Sequence, residues 1–329
     1  MAEVVTILPG CIPANPDIAG VGIRVTIYLQ NAVCALVGIW TIARRREGIP
    51  LISAQITGIT LTTCALFLSA FIQSRSYGLS AYHAIILLNL GWVNFASSLL
   101  QTGIVDPDNT SLPDSFSFFW MHASMGLFAG FGLWFWATVD TFGSTIQCKT
   151  GLPIPICILG HTYFGNSSAT RIAFLVIYTT FGFNSVLGFI RSGSTLITSG
   201  AIFEGLDRTA TLSDVRSSRM FLYVYGVIID IGLLVGVIVG TEWMVHDAAS
   251  FVQPGESQWT YGQTISVFLL VPGVLGVIRD MAEEETKRQR MQRSTLAEQQ
   301  LDTIERNGGS NGSHRGRNGK SEVDAGDKM

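Results

Sequence analysis

The chain contains 329 residues, of which 48% are hydrophobic and only 14% are charged, and its formal net charge at pH 7 is −3. This composition argues against an ordinary soluble domain and favours an integral membrane protein. Neither the composition nor any motif indicates a cofactor or a nucleic-acid partner.

The apolar residues are gathered in seven stretches that predict membrane spans. A span needs about 20 mostly apolar residues. Stretches of this kind lie at 19–42, 52–73, 79–101, 117–142, 172–190, 220–242 and 262–278. The predicted fold class is therefore all-α, a helical transmembrane bundle of seven spans.

The distribution of Lys and Arg predicts the orientation of this bundle. If the 43–51 loop is cytoplasmic, the inner side collects twelve Lys and Arg residues near span ends and the outer side only three. The positive-inside rule then places the N-terminus outside and the C-terminus in the cytoplasm. We expect a plasma or secretory-pathway membrane, an outer segment at 1–18, a bundle at 19–278, a charged cytoplasmic helix at 279–306 and a disordered tail at 307–329.

The first stretch has a face of small and polar residues. They recur at helical spacing and are Gly20, Arg24, Tyr28, Asn31, Ala35 and Gly38. We expect this face to point into the bundle, because an arginine that faces lipid is costly. Arg24 is either buried and paired, or extended to the outer headgroups.

A set of polar residues lies near the predicted outer ends of the stretches. It contains Arg24, His83, Asp140 and Gln263, with Asp17 just before the first stretch. An ion pair of Arg24 with Asp17 or Asp140 would reduce the cost of its burial. The set either lines an outer-leaflet cavity for a small ligand, or consists of side chains that reach water independently.

Asp230 lies near the middle of the sixth stretch, where a lone carboxylate is strongly disfavoured. Gln30, Asn31, Asn89 and Asn184 are expected at a similar depth. This layer is a hydrogen-bonded structural network, a proton or cation site, or the floor of a ligand pocket.

Glycines spaced four residues apart predict close helix packing in two stretches. They are Gly126 and Gly130 in the fourth stretch, and Gly232, Gly236 and Gly240 in the sixth. Their packing partner is either another helix of the chain or a second copy in a homo-oligomer.

The loop between the fourth and fifth stretches carries two candidate modifications. Cys148 and Cys157 lie on the predicted outer side, where they either form a disulfide with each other or compete for Cys11. Asn166 begins an Asn-Ser-Ser sequon and is the candidate glycosylation site.

No enzyme motif or metal site is indicated. His83 and His122 belong to different predicted depths, so one metal ion cannot bridge them, and no H-x-x-x-H motif occurs. The topology is that of G-protein-coupled receptors, but residues 98–101 read SLLQ where that family usually has D-R-Y. The last stretch contains no lysine for a retinal Schiff base, so the likeness is one of topology only.

Two segments resemble a known group of proteins. Residues 15–24 read NPDIAGVGIR, YLQ follows at 28–30, and residues 258–264 read QWTYGQT. These segments resemble the first and last spans of uncharacterised multi-pass membrane proteins from fungi. The resemblance implies a helical membrane bundle and supplies no mechanism. It marks Asp17, Gly20, Gly22, Arg24, Tyr28, Gln30, Trp259, Gly262 and Gln263.

These observations leave three hypotheses for a protein whose expected partners are the lipid bilayer and a small ligand or cation. The first is a receptor-like sensor with an outer-leaflet cavity. The second is a proton- or cation-conducting channel or transporter that uses Asp230. The third is a purely structural membrane protein.

Overall fold

The computed structural model describes residues 10–43, 49–76, 78–104, 112–143, 155–158, 161–164, 168–199 and 216–309. The helices within these ranges are α1 (Pro16–Ala19), α2 (Val21–Ala43), α3 (Ile49–Ser76), α4 (Ala81–Ile104), α5 (Leu112–Ala137), α6 (Ser168–Ser199), α7 (Arg216–Ala248) and α8 (Tyr261–Gly309). Strands β1 (Pro155–Ile158) and β2 (His161–Phe164) form an antiparallel hairpin between α5 and α6.

Five helical segments of the described chain are long and apolar enough to cross a membrane. They are Pro16–Trp40, Thr57–Ser76, Ser168–Ile190, Val224–Ala248 and Tyr261–Gln300. The fold is therefore helical, with the length and composition of a membrane protein. The third and fourth predicted spans correspond to α4 and α5, which have 24 and 26 residues and are not among those five.

Helix α4 lies at the centre of the bundle, and this position explains its composition. Its residues are buried almost without interruption from Tyr82 to Leu90, whereas a peripheral helix buries only one face. Helices α2, α3, α5 and α7 all pack against it. A helix enclosed by protein can carry polar side chains that bond to its neighbours, so it needs less hydropathy than one that faces lipid.

Side-chain hydrogen bonds show which helix ends meet. Asn15, just before α1, donates to Gln73 at the end of α3, and Arg24 at the start of α2 donates to Glu242 near the end of α7. The backbone N–H of Gly22 donates to Gln263 at the start of α8. We call this end, where α2 begins, the N-terminal end of the bundle.

Close packing of α5 against α6 depends on glycines. A Cβ atom on Gly132 would lie 2.5 Å from the Tyr178 ring, one on Gly126 would lie 2.9 Å from Ser185 Oγ, and one on Gly188 would lie 2.2 Å from the His122 ring. Each glycine thus receives a larger side chain of the other helix. The packing predicted for Gly126 is present.

Three other glycines of the two spaced series have no packing partner among the described residues of the same chain, so for them the predicted contact with a second copy stays a prediction. No atom lies within 4 Å of a Cβ built on Gly130, Gly232 or Gly236. The spacing of four identifies a smooth helix face, but it does not determine whether a neighbour covers that face. Gly240 is buried.

The segment before α2 packs on the α7–α8 connection. Ile12 and Val252 form a parallel bridge, and the Gly10 N–H donates to the Ser250 carbonyl. Cys11 is disulfide-bonded, while Cys34 and Cys64 form no disulfide. The side chains of Cys148 and Cys157, and Asn166, lie outside the described residues.

The chain divides into two compact units, Met1–Val277 and Ile278–Met329. The described part of the second unit is helical as far as Gly309, with an Arg279–Glu283 contact of 3.3 Å. The helix thus extends beyond the predicted boundary at 306. The tail from 310 onward lies outside the described residues.

We predict that Gly132→Ala destabilises the protein by about 1–3 kcal/mol, because the new methyl group overlaps the buried Tyr178 ring. Gly130→Ala, two residues away with open space around it, is the matched control and is expected to change stability by less than about 0.5 kcal/mol. Thermal unfolding in detergent measures both. Equal midpoints for the two variants would contradict the packing described here.

Candidate functional site

Arg24 is buried and paired, but with neither of the predicted acids. Its Nη1 donates to Glu242 Oε2 at 2.7 Å, and the guanidinium is almost enclosed while the Glu242 side chain is 46% exposed. Tyr28, one turn further along α2, donates its hydroxyl to the other carboxylate oxygen at 3.0 Å. The buried cation therefore shares one acid with a tyrosine and joins α2 to α7.

Gln263 fills the space left by two glycines of the first motif. Its Oε1 accepts from the Gly22 N–H at 2.8 Å, and its Nε2 donates to the carbonyls of Pro16 and Gln258. A Cβ on Gly20 would lie 2.2 Å from Gln263 Nε2, and one on Gly22 would lie 2.6 Å from Gln263 Cβ. Only glycine at these two positions leaves room for the amide.

The two segments that carry the fungal resemblance are in direct contact. Besides the Gln263 bonds, Thr260 donates to Asp17 at 2.7 Å, and a Cβ on Gly262 would lie 3.1 Å from the same carboxylate oxygen. Trp259 donates to Thr264 within its own segment at 2.7 Å. Packing between α1–α2 and the start of α8 thus explains Asp17, Gly20, Gly22, Gly262 and Gln263.

Asp140 takes no part in this contact. It accepts from Arg171 at 2.7 Å, and both side chains are partly exposed at 35% and 65%. The predicted outer set of Arg24, His83, Asp140 and Gln263 therefore separates into different interactions.

His83 lies between a serine and an acid. Its ring Nδ1 shares a 2.7 Å hydrogen bond with Ser80 Oγ, and its Nε2 is 3.7 Å from Glu256 Oε1. Ser80 also accepts from the His83 backbone N–H, as an N-cap residue of α4 does. Ser80 and His83 are both buried, and Ser80 caps the N-terminus of α4.

A network of amide side chains does connect the helices near the middle of the bundle, but its α4 member is not the predicted residue. Asn31 donates to Asn94 at 2.7 Å, and Asn94 donates to Thr63 at 2.9 Å, which connects α2, α4 and α3. Asn94, and not the predicted Asn89, is the α4 member of the network. Gln30 accepts from Thr62 at 3.3 Å in a separate contact.

Asp230 is buried, and neither of its carboxylate oxygens has a hydrogen-bond partner. It precedes Glu242 by about three turns of α7, so it lies roughly 18 Å from the Arg24 pair along the helix. Asn31 lies only about 10 Å below Arg24. Asp230 is therefore deeper than the amide network and does not bond to it.

A cavity of about 370 Å³ opens among α3, α4, α5 and α6. Its apolar wall consists of Gly91, Phe95, Met121, Met125, Phe128 and Phe181. Its polar wall consists of Thr63, Asn94, Ser98, His122, Ser124 and Asn184. The volume and the mixture of aromatic and polar groups are those of a small-molecule site.

No pattern in the sequence indicates this cavity directly, although two of its residues, Asn184 and His122, were considered in other roles. The pairing partner of Arg24 could have been found from the sequence. Glu242 is an acid that is followed by a further apolar turn of α7, so a search for carboxylates inside apolar helices would have found it. Within the described residues, no group of three His, Cys, Asp or Glu side chains can hold a metal ion.

No protein-family model, curated protein or solved structure matches this chain. The function of the site is therefore inferred from its own geometry and from the two motifs of the sequence.

We predict that Glu242→Gln lowers stability by about 1–3 kcal/mol, because it leaves the buried Arg24 without its counter-charge. Asp247→Asn is the matched control: its side chain is 50% exposed and belongs to the same helix, and the expected change is below about 0.5 kcal/mol. Unfolding in detergent at low and high salt measures the difference. If both variants unfold alike, the Arg24 pair does not stabilise the bundle.

Proposed function

We propose that the protein is a receptor-like sensor, and that the cavity among α3, α4, α5 and α6 binds its ligand. The cavity is the observation that carries the proposal. It replaces the outer-leaflet site expected from the sequence, whose members Arg24, Asp140 and Gln263 are bound to separate partners.

The position of the cavity supports a signalling role. Its wall includes Phe181 and Asn184 of α6, a helix that packs on α5 through fitted glycines and has most of its remaining surface exposed. A ligand between α4 and α6 therefore contacts a peripheral helix whose movement disturbs few other contacts. The C-terminal end of α6 leads into the basic 191–219 region, which carries the signal in this proposal.

We also propose seven spans with the N-terminus outside, in a plasma or secretory-pathway membrane. Support comes from the excess of Lys and Arg on one predicted side and from the disulfide at Cys11, which requires an oxidising compartment. The hydrogen bonds that join the start of α2 to the ends of α3 and α7 fit helices that alternate in direction.

We predict that Ser124→Leu, which adds an isobutyl side chain to the cavity wall, abolishes stabilisation by small molecules. A library screened by thermal shift should contain compounds that raise the wild-type midpoint, since a ligand stabilises the state that it binds. These compounds should not raise the midpoint of Ser124→Leu.

The matched control is Thr179→Leu, on the exposed face of α6, which should respond like the wild type. If every active compound shifts the wild type and Ser124→Leu equally, the ligand site is not in this cavity.

The second candidate is a channel or transporter that uses Asp230. It is favoured by one observation: both carboxylate oxygens of this buried acid lack a partner, and the oxygens of Asn31 and Ser97 are also buried without partners. An intramembrane acid of this kind is a candidate proton or cation site.

Flux through reconstituted vesicles distinguishes the two candidates. On the receptor proposal, we predict no proton or cation flux through the wild type and no change with Asp230→Asn. Asp247→Asn is the control for loss of a carboxylate on the same helix. A flux that Asp230→Asn abolishes and Asp247→Asn preserves would reject the receptor in favour of the channel.

A further inference from the structure

The geometry points to an uncharged, largely apolar ligand that carries one hydroxyl group and enters the cavity from the hydrocarbon phase of the bilayer. This inference rests on the proposed function, because it concerns the same cavity. It is carried by the hydrogen-bonding capacity of the wall and by the position of the cavity opening.

The wall excludes a charged ligand. None of its twelve residues carries a carboxylate, an ammonium or a guanidinium group. A charged ligand would lose its hydration without meeting a counter-charge, which is costly in an apolar site. Arg24 and Asp140 are the charged residues of the predicted outer set, and they are already paired with Glu242 and Arg171.

The wall does offer a few hydrogen bonds. Ser98 and Ser124 donate their hydroxyl protons to carbonyls of their own helices, at Asn94 and Met121, which leaves the two oxygens as acceptors. His122 lines the same wall, and an imidazole ring can donate or accept a hydrogen bond. A single hydroxyl both donates and accepts, so it matches these groups, whereas a pure hydrocarbon leaves them unsatisfied.

The opening faces the side of the bundle. Asn184 lines the cavity and is exposed, and its neighbours Phe183 and Leu187 are exposed apolar side chains at 65% and 51%. Towards the N-terminal end, α4 and α6 are bridged by aromatic contacts: Phe95 and Phe181 lie 4.6 Å apart by ring centroids. Below this contact, a membrane-soluble molecule reaches the cavity without crossing water.

The test uses the full chain in lipid nanodiscs with photoreactive probes that share one alkyl chain and end in an alcohol, a carboxylate, an ammonium or a methyl group. Cross-linked peptides are mapped by mass spectrometry. We expect the alcohol to label the α4, α5 and α6 segments of the cavity about 5-fold more strongly than the methyl probe, as one added hydrogen bond predicts. The two charged probes should label them more weakly than the alcohol.

Two variants connect this preference to the wall. His122→Leu should reduce labelling by the alcohol to the level of the methyl probe, and His122→Gln, which retains hydrogen-bonding groups, should restore the preference. Ser98→Ala removes a second hydrogen-bond acceptor from the wall. Its control is Ser97→Ala, because Ser97 is the adjacent residue and is buried but is not part of the wall. Competition by a sterol or by an unlabelled long-chain alcohol then identifies which hydroxyl-bearing class binds.

The outcomes separate the two proposals. Cavity labelling that is equal for the alcohol and methyl probes, or strongest for a charged probe, would overturn the ligand class and leave the sensor proposal standing. Labelling of the cavity by no probe, together with the absence of stabilising compounds in the thermal-shift screen, would overturn both.

Discussion

The buried guanidinium of Arg24 imposes the constraint on which the arrangement of the bundle depends. A cation enclosed by apolar helices must lie within contact of its counter-charge, because the cost of leaving it unpaired is several kcal/mol. Glu242 meets this requirement at 2.7 Å, and the contact fixes the register of α2 against α7. With that register set, Gly22 meets Gln263 and Asn31 meets Asn94, so the same helix also positions α8 and α4.

This dependence explains how much of the fold the sequence could predict. Apolar length located all the long helices, since span length is a property of one segment alone. The polar face of the first stretch, with Arg24, Tyr28 and Asn31, was visible from its spacing, and these three residues do contact other helices. The motifs near Gly20 and Gln263 were identified from the sequence. The structure adds the reason for them, because the Gln263 side chain occupies the space next to Gly20 that a Cβ atom would fill.

Pairing partners were harder to predict, because they depend on the rotation and depth of two helices at once. Arg24 was assigned to Asp17 or Asp140 by position along the chain, and its partner is Glu242. Asn89 and Asn94 lie about 140° apart around α4, and the sequence does not specify the rotation of the helix that decides which of them faces α2. The glycines show the same dependence on rotation: Gly132 and Gly188, outside the spaced series, receive side chains of the facing helix, whereas Gly130 does not. The cavity is a product of four helices and has no signature in any one of them.

The distribution of polar groups bears on the choice between sensor and channel. Conduction requires polar or hydrated positions in series along one path. On α4, the positions between His83 and Asn94 that share their face are Leu87 and Leu90, both fully buried. On this face of α4, about 16 Å of helix therefore separates His83 from Asn94. Asp230 lies deeper still. The cavity needs no such path, because Asn184 already opens it to the side of the bundle. The geometry thus favours a molecule that arrives from the bilayer over an ion that crosses it.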